Sequence, residues 1–310
     1  MAMRLARAAA ARARGAMLSP ASSRGLAGAG VGEEDGDPGV SYRVLEGNVG
    51  LITLNAPHRL NAFTEGMARE FSRIVNGVRH APPDQRVGAV VLCATGKSFC
   101  AGGDLGMLKG FKEASDVRAT AEKLAGLYLS FLGMRTLDVP VVAAIHGHCV
   151  GGGAGIALAA DLRFAMPCVQ LRFNFARELG IHPGMGTTHL LPRLVGAGRA
   201  AAMLLQTPPY GIDVAAPEAL EAGLISAMAS KEEEPDAGGG GKSRIRWRCP
   251  AVRKAVATAT ALAGDLNPAA SADLVLALRG GPGHWEALVE AVHKEAHAQA
   301  ASFRTPGCRL

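Results

Sequence analysis

Several common signatures are missing from this sequence, and each absence excludes a class of protein. The six cysteines form no CxxC pair and show no metal-ligand spacing, which indicates reduced, mostly packed thiols rather than a zinc site. No apolar run approaches the roughly 18 residues of a membrane-spanning helix. There is also no GxGxxG after a predicted strand and no GxSxG, so neither a Rossmann nucleotide site nor a serine-hydrolase elbow is supported.

Three short motifs come close to a functional pattern and fail its test. The GKS tripeptides at 96–98 and 241–243 lack the first glycine of a phosphate-binding loop, because Val91 and Asp236 stand there. His293 and His297 have helical spacing but no third ligand, which favours a solvated helix face. We therefore expect no bound metal ion and no separate cofactor.

Acidic residues and lysine are absent from residues 1–32, which contain five arginines. Removing these five from the chain's 33 basic residues leaves 28 against 27 acidic ones, so the remaining body lacks the basic excess that attracts nucleic acid. An arginine-rich, alanine-rich, acid-free start is typical of a mitochondrial targeting presequence; a disordered basic tail and a plastid transit peptide are the alternatives. We expect residues 1–32 to be such a presequence and the mature protein to reside in the mitochondrial matrix.

Strand and helix patterns alternate through the body of the chain. The segment from Tyr42 to Leu54 predicts two short strands around a Gly-Asn turn, and Thr64 is a candidate N-cap for an amphipathic helix. Apolar runs at 87–93 and 139–145 predict strands buried on both faces, followed by helices near 116–135 and 151–160. This alternation predicts an α/β fold.

The second half of the chain has a different composition. Residues 230–243 combine a charge run with four consecutive glycines, which predicts an acidic, Gly-rich linker or insertion. Beyond it, residues 244–310 predict a helical C-terminal part, with helices near 251–264, 268–279 and 284–303.

Two Gly-rich turns carry the chemical signal. SFCAGGD (98–104) follows a buried strand, and VVAAIHGHCVGGGAG (141–155) runs from a strand into a helix. Small residues let the backbone approach a ligand closely, and N–H groups at a helix start can donate to a developing negative charge. Each turn alone could be purely structural. Together they predict an oxyanion hole.

This pair of turns resembles the crotonase superfamily of enoyl-CoA hydratases and isomerases. The resemblance runs in unbroken order over residues 41–229 and includes GLITLNAPHRLNAF (50–63), DVPVVAAIHG (138–147), LAADLRFA (158–165), LGIHPGMGTTHLLPRLVG (179–196) and EAGLIS (221–226). It implies a crotonase-like spiral of ββα units with a C-terminal helical part that forms homotrimers or hexamers. It also implies a coenzyme A thioester as the substrate, with coenzyme A as part of that substrate, in fatty-acid or branched-chain acyl-CoA metabolism.

The resemblance also implies roles for individual residues. The backbone N–H groups of Ala101 and Gly152 would be the oxyanion donors that hold the thioester oxygen as it becomes enolate-like. His58, Arg59 and Leu60, together with Ala101, Gly103 and Asp104, would line the CoA site.

The sequence departs from the family pattern at the expected acid and base. The first family glutamate falls on Gly155, and the second falls on Phe175 or Ala176, depending on the side from which it is counted. Since each acid or base typically contributes about 10² to 10⁴ in rate, their loss should cripple hydration and leave enolate stabilisation intact. Glu178 is the nearest substitute carboxylate.

Two alternative functions follow from these departures. One is a catalytically impaired, acyl-CoA-binding paralogue. The other is a thioesterase similar to the 3-hydroxyisobutyryl-CoA hydrolases, which resemble the chain at FCAGGD and at Gly155 but expect a carboxylate at the second site. The C-terminal part also resembles a shortened form of the family's, ending where another helix would be expected.

Overall fold

The computed structural model describes residues 39–210, 213–229 and 249–310. The predicted presequence (1–32) and the predicted linker (230–243) lie outside the described residues. Within the described parts, the body of the chain is an α/β fold built on two sheets.

The main sheet has six strands in the order β1-β2-β3-β4-β6-β9. These strands are β1 Val40–Leu45, β2 Val49–Leu54, β3 Ala89–Ala94, β4 Val141–Ile145, β6 Leu162–Ala165 and β9 Ala227–Met228. The first pair is the predicted antiparallel hairpin, and all the others pair in parallel. Every residue of β2, β3 and β4 is buried, as expected for apolar strands covered on both faces.

A smaller sheet has three strands in the order β5-β7-β8, which are β5 His148–Val150, β7 Gln170–Arg172 and β8 Val214–Ala215. The chain alternates between the sheets: β4, β6 and β9 lie in the main sheet, and β5, β7 and β8 lie in the small one. This alternation, with helices between successive strand pairs, gives the repeating strand–strand–helix units of the predicted spiral.

Among the described residues, seven α-helices belong to the body of the chain and three follow residue 249. They are α1 Glu65–Arg79, α2 Leu105–Glu113, α3 Val117–Leu132, α4 Gly152–Leu158, α5 Thr187–Val195, α6 Ala197–Leu205, α7 Ala216–Glu221, α8 Pro250–Asp265, α9 Pro268–Leu278 and α10 His284–Ser302. Thr64 caps α1, as predicted, by accepting the Met67 N–H. Helix α2 was not predicted from the sequence. None of the described helices is long and apolar enough to cross a membrane.

The C-terminal helices pack directly onto the body of the chain. The face of α8 is made of small residues, including Ala251, Ala255 and Ala259, and covers β2, β3, β4 and β6 from one side. On the other side α10 packs against α3, where the Tyr128 hydroxyl donates to Gln299. The predicted helical part therefore completes the hydrophobic core.

A buried ion pair fixes the end of α9. Arg279, whose side chain is 2% exposed, donates to Asp161 Oδ2 at 2.6 Å and Oδ1 at 2.8 Å and to three backbone carbonyls. Asp161 also accepts the Val141 N–H at 2.8 Å, so the pair ties α9 to the start of β4. With these charges fully hydrogen-bonded, the desolvation cost of burying them is offset.

Candidate active site

Two turns and the strand β5 meet at the carboxyl edge of the parallel strands. The segment after β2 (55–63) meets the turn after β3 (95–104), where Phe63 N–H donates to the Gly102 carbonyl at 2.7 Å. The turn after β3 also pairs with β5, where the Val150 N–H donates to the Cys100 carbonyl at 3.0 Å. Ligands of open α/β sheets bind outside this edge, so it is the natural place for a substrate.

A buried asparagine holds the first two turns together. Asn61 is fully buried, with a left-handed φ of 56° that asparagine tolerates better than most residues. Its side chain accepts the Ala56 N–H at 2.8 Å and donates to the carbonyls of Thr95 at 2.8 Å and Ser98 at 2.9 Å. Asn61 was not predicted as a site residue from the sequence, although an asparagine inside a turn is a signal for a left-handed conformation.

Close backbone contact leaves little room for side chains at the glycines of the two predicted turns, and none at Gly153. A Cβ added to Gly153 would lie 2.2 Å from the Cys100 carbonyl oxygen, and one added to Gly152 would lie 3.2 Å from the Gly103 nitrogen. Gly102 has a backbone φ of +108°, which residues with a side chain rarely adopt. The structure thus brings FCAGGD and GGG into direct contact.

Some backbone N–H groups at this contact already donate a hydrogen bond within the protein and others do not. Gly152 is the first residue of α4, and its N–H has no hydrogen-bond partner within the described residues, like the N–H of neighbouring Gly103. The Ala101 N–H, in contrast, donates to the Leu60 carbonyl at 3.0 Å. One of the two predicted donors is therefore open and the other is engaged.

The predicted CoA-site residues form a strip along the first turn. His58 and Leu60 are exposed, Leu60 to 41%. Arg59 is half-buried and its guanidinium lies against Gly39, where an added Cβ would be 2.8 Å from Nη2. Asp104 caps α2, since its Oδ1 accepts the Met107 N–H at 2.9 Å.

A cavity of about 710 Å³ opens beside Asp104, between the start of α1 and the helices α2 and α3. Its wall includes Thr64, Asp104, Met107, Phe111 and Ala119, a mixture of apolar and polar groups. The volume is in the range of small-molecule sites in proteins. Asp104 links this cavity to the glycine turn.

The positions expected to hold an acid or base have no carboxylate in the site. A Cβ added to Gly155 would lie 2.4 Å from Cβ of Met185, so packing closes this position to any side chain. Phe175 is buried in the core and Ala176 is half-buried.

Glu178, the predicted substitute, is engaged outside this group of turns. Its carboxylate accepts from Gln206 Nε2 at 2.6 Å and lies 3.5 Å from Arg172 Nη1. Arg172 also makes a bidentate pair with Asp213 at 2.8 and 2.9 Å. Glu178 is thus part of an ion-pair network.

Two further residues at the glycine turns were missed by the sequence analysis. The Asn174 side-chain oxygen lies against Gly151, 2.7 Å from where a Cβ would stand, and the Met185 methyl lies 3.1 Å from a Cβ added to Gly152. Neither position carries a local sequence signal. Within the described ranges no three His, Cys, Asp or Glu side chains cluster as metal ligands.

A sequence profile of the enoyl-CoA hydratase/isomerase family matches residues 45–236, more than half of the chain. The chain belongs to this family. A Mycobacterium tuberculosis protein named "Probable enoyl-CoA hydratase EchA14" is 38% identical over 186 residues, covering 60% of this chain and 68% of that protein. The short-chain-enoyl-CoA hydratase of Clostridium acetobutylicum is 33% identical over 190 residues, covering 61% and 68%.

Solved structures share the fold of this family member. An enoyl-CoA hydratase from Bacillus halodurans has a TM-score of 0.70 at 22% identity, covering 87% of this chain and 96% of that one. An enoyl-CoA hydratase/isomerase from Mycobacterium paratuberculosis has a TM-score of 0.69 at 24% identity, covering 88% and 97%. These likenesses confirm the predicted crotonase-like fold, and the family match identifies the chain as an enzyme of the enoyl-CoA hydratase/isomerase type.

Proposed function

We propose that this enzyme binds an acyl-CoA thioester with its carbonyl oxygen at the N–H groups of Gly152 and Ala101, and stabilises the oxygen as it becomes enolate-like. The observation that supports this most is the Gly152 N–H beside the 101–103 turn, which has no hydrogen-bond partner among the residues that the structure describes. Backbone donors fixed in advance stabilise charge that develops in the transition state. The Ala101 N–H contributes once the ligand oxygen displaces the Leu60 carbonyl as its acceptor.

The rest of the thioester would lie along the first turn. His58, Arg59 and Leu60, with Ala101, Gly103 and Asp104, would line the CoA site, where a guanidinium such as that of Arg59 suits a phosphate. The cavity beside Asp104 offers space for further parts of the substrate. Coenzyme A enters as part of the substrate, and no separate cofactor is needed.

The reaction is proposed to proceed without the two glutamates that the family resemblance leads one to expect. The contact between Gly155 and Met185 supports this, because it leaves no volume for a carboxylate at 155. Glu178 could act as an acid or base only after leaving Gln206 and Arg172. Isomerisation or hydration at a reduced rate, in fatty-acid or branched-chain acyl-CoA metabolism, fits these groups best.

A second candidate function is acyl-CoA binding without turnover. The Met185 side chain, which fills the space beside Gly155 and Gly152, favours it, since a ligand could still bind where proton transfer has no group to serve it. Hydrolysis similar to that of 3-hydroxyisobutyryl-CoA hydrolases is a weaker alternative, because the second carboxylate is missing as well.

Assembly and location complete the proposal. Leu274, Leu276 and Leu278 on α9 are 51%, 47% and 77% exposed, and burying such an apolar surface supports a homotrimer or hexamer. The acid-free, arginine-rich residues 1–32 support import into the mitochondrial matrix.

The test uses protein lacking residues 1–32, mixed with crotonyl-CoA, while the conjugated thioester absorbance is followed and products are identified by mass. Gly152→Pro removes the donor N–H, and Gly152→Ala is its matched control, because it adds a Cβ and keeps the N–H. We expect Gly152→Pro to lower turnover about 10²- to 10³-fold relative to Gly152→Ala. Equal turnover in the two variants would refute the proposed donor. Binding of crotonyl-CoA without product would exclude hydration and leave isomerisation, hydrolysis or binding without turnover.

A further inference from the structure

The small sheet delivers a second group to the glycine turn. Strands β5 and β7 run parallel, with Val150 opposite Arg172, and the Gly151 N–H donates to the Arg172 carbonyl at 2.8 Å. The carboxyl ends of parallel strands lie at the same edge, so the residues that follow β7 arrive beside Gly151 and Gly152. Asn174 is the second residue after β7, and its Oδ1 lies against Gly151.

The Asn174 backbone is firmly held and its side chain is not. Phe173 and Phe175 on either side are buried, at 1% and 5% exposure, and the Asn174 carbonyl accepts the Leu179 N–H at 3.1 Å. Asn174 itself is half-buried, and its carboxamide makes no hydrogen bond within the described parts of the chain. A polar side chain on a fixed backbone, with open hydrogen-bonding capacity, is suited to meet a ligand.

The two charged side chains nearest to Asn174 in the chain, Arg172 and Glu178, are already engaged. Glu178 is held by Gln206 and Arg172, and Arg172 is held by Asp213. The remaining side-chain atoms closest to Gly151 and Gly152 are the Phe175 ring and the Met185 methyl, which are apolar. Among the described residues, Asn174 is therefore the polar side chain nearest to where a Cβ on Gly151 would stand.

We propose that the Asn174 carboxamide donates a hydrogen bond to the thioester carbonyl oxygen and so sets the orientation of the acyl group beside Gly152. This inference rests on the proposed function. A carboxamide donates and accepts hydrogen bonds but does not exchange protons near neutral pH, so Asn174 would orient the bound substrate or a water and would not act as the acid or base. The site would then recognise the acyl group by polar contacts as well as by the backbone N–H groups.

The experiment measures binding of butyryl-CoA, a saturated thioester that cannot be hydrated, and of free CoA, to protein lacking residues 1–32. We expect Asn174→Ala to weaken butyryl-CoA binding about 3- to 10-fold, the equivalent of one net hydrogen bond, and to leave free CoA binding unchanged. Asn76→Ala, on the exposed face of α1, is the matched control and should change neither affinity.

A second variant separates substrate contact from a purely structural role. Asn174→Asp keeps the shape of the side chain and adds a carboxyl group that titrates near pH 4. The affinity of this variant for butyryl-CoA should therefore depend on pH between about 4 and 6 more strongly than the affinity of the unsubstituted protein does. An equal loss of butyryl-CoA and free CoA affinity, or no loss in Asn174→Ala, would overturn the inference alone. If the unsubstituted protein binds neither compound, the proposed function falls with it.

Discussion

We expect Gly155→Ala to destabilise the protein, although alanine is the better helix former. An added Cβ would stand 2.4 Å from Met185 Cβ and 3.2 Å from the Met185 carbonyl oxygen. The Cβ atom cannot swing away as the end of a flexible side chain can, so the backbone must shift, at an overpacking cost of about 1–3 kcal/mol. The helix-propensity gain of about 1 kcal/mol offsets part of it. The expected net loss is up to about 2 kcal/mol.

The measurement is urea unfolding, with the free energy compared at a common slope. Gly126→Ala is the matched control, because Gly126 lies within α3 and has no atom within 4 Å of an added Cβ. That variant should gain up to about 1 kcal/mol from the same propensity. Two identical substitutions in helices should therefore shift stability in opposite directions.

The double variant identifies the contact responsible. Met185→Gly removes the opposing Cβ, and at a φ of 67° glycine also relieves backbone strain, although the loss of a buried methionine side chain costs about 2–5 kcal/mol. Combined with Gly155→Ala, it should recover about 1–3 kcal/mol relative to the sum of the single changes. Additive single effects, or a Gly155→Ala protein as stable as Gly126→Ala, would refute the argument that Met185 closes position 155.

Two further predictions concern the buried polar groups. Burial, together with nearby arginines, lowers the pKa of both His189 and His284 to about 4. The unfolded chain takes up these protons near pH 6.5, so the free energy of unfolding should fall as the pH drops from about 6.5 to 4. His189→Gln should flatten this pH dependence when urea unfolding is measured at each pH. Asn61→Ala removes three buried hydrogen bonds and places alanine at a left-handed φ, so it should lower the free energy of unfolding by about 2–5 kcal/mol in the same assay. A loss below about 1 kcal/mol would contradict the conclusion that Asn61 holds the two turns together.

Local pattern was sufficient to predict most of the framework. The apolar β-branched runs became β3 and β4, and Thr64 and Asp116 cap α1 and α3. Helix α2 escaped prediction because two glycines weaken its propensity and because, within its nine residues, Phe111 alone is buried. The Asp104 carboxylate that caps it was interpreted only as a ligand-site residue, although an N-cap aspartate is a helix-start signal.

The site was predictable where its parts are glycine turns and unpredictable where distant residues meet. The contact of FCAGGD with GGG followed from small residues after neighbouring strands. The engagement of Ala101 by Leu60 and of Glu178 by Gln206 depends on residues that are 41 and 28 positions apart. Such pairings are decided by tertiary packing, which no local sequence pattern encodes.

The packing around Gly155 helps to decide between two explanations for the proposed loss of the family's glutamates. Either the whole site has lost its function, or the site still binds a thioester and its reaction has changed. Replacing a large side chain by glycine alone would leave a void, since protein interiors relax only partly around a deleted group. Here the space is filled, because Met185 packs against both Gly155 and Gly152. The Gly152 N–H makes no hydrogen bond within the described part of the chain. A site that is repacked around an intact donor, with Asn174 beside it, is better explained by retained thioester binding than by decay.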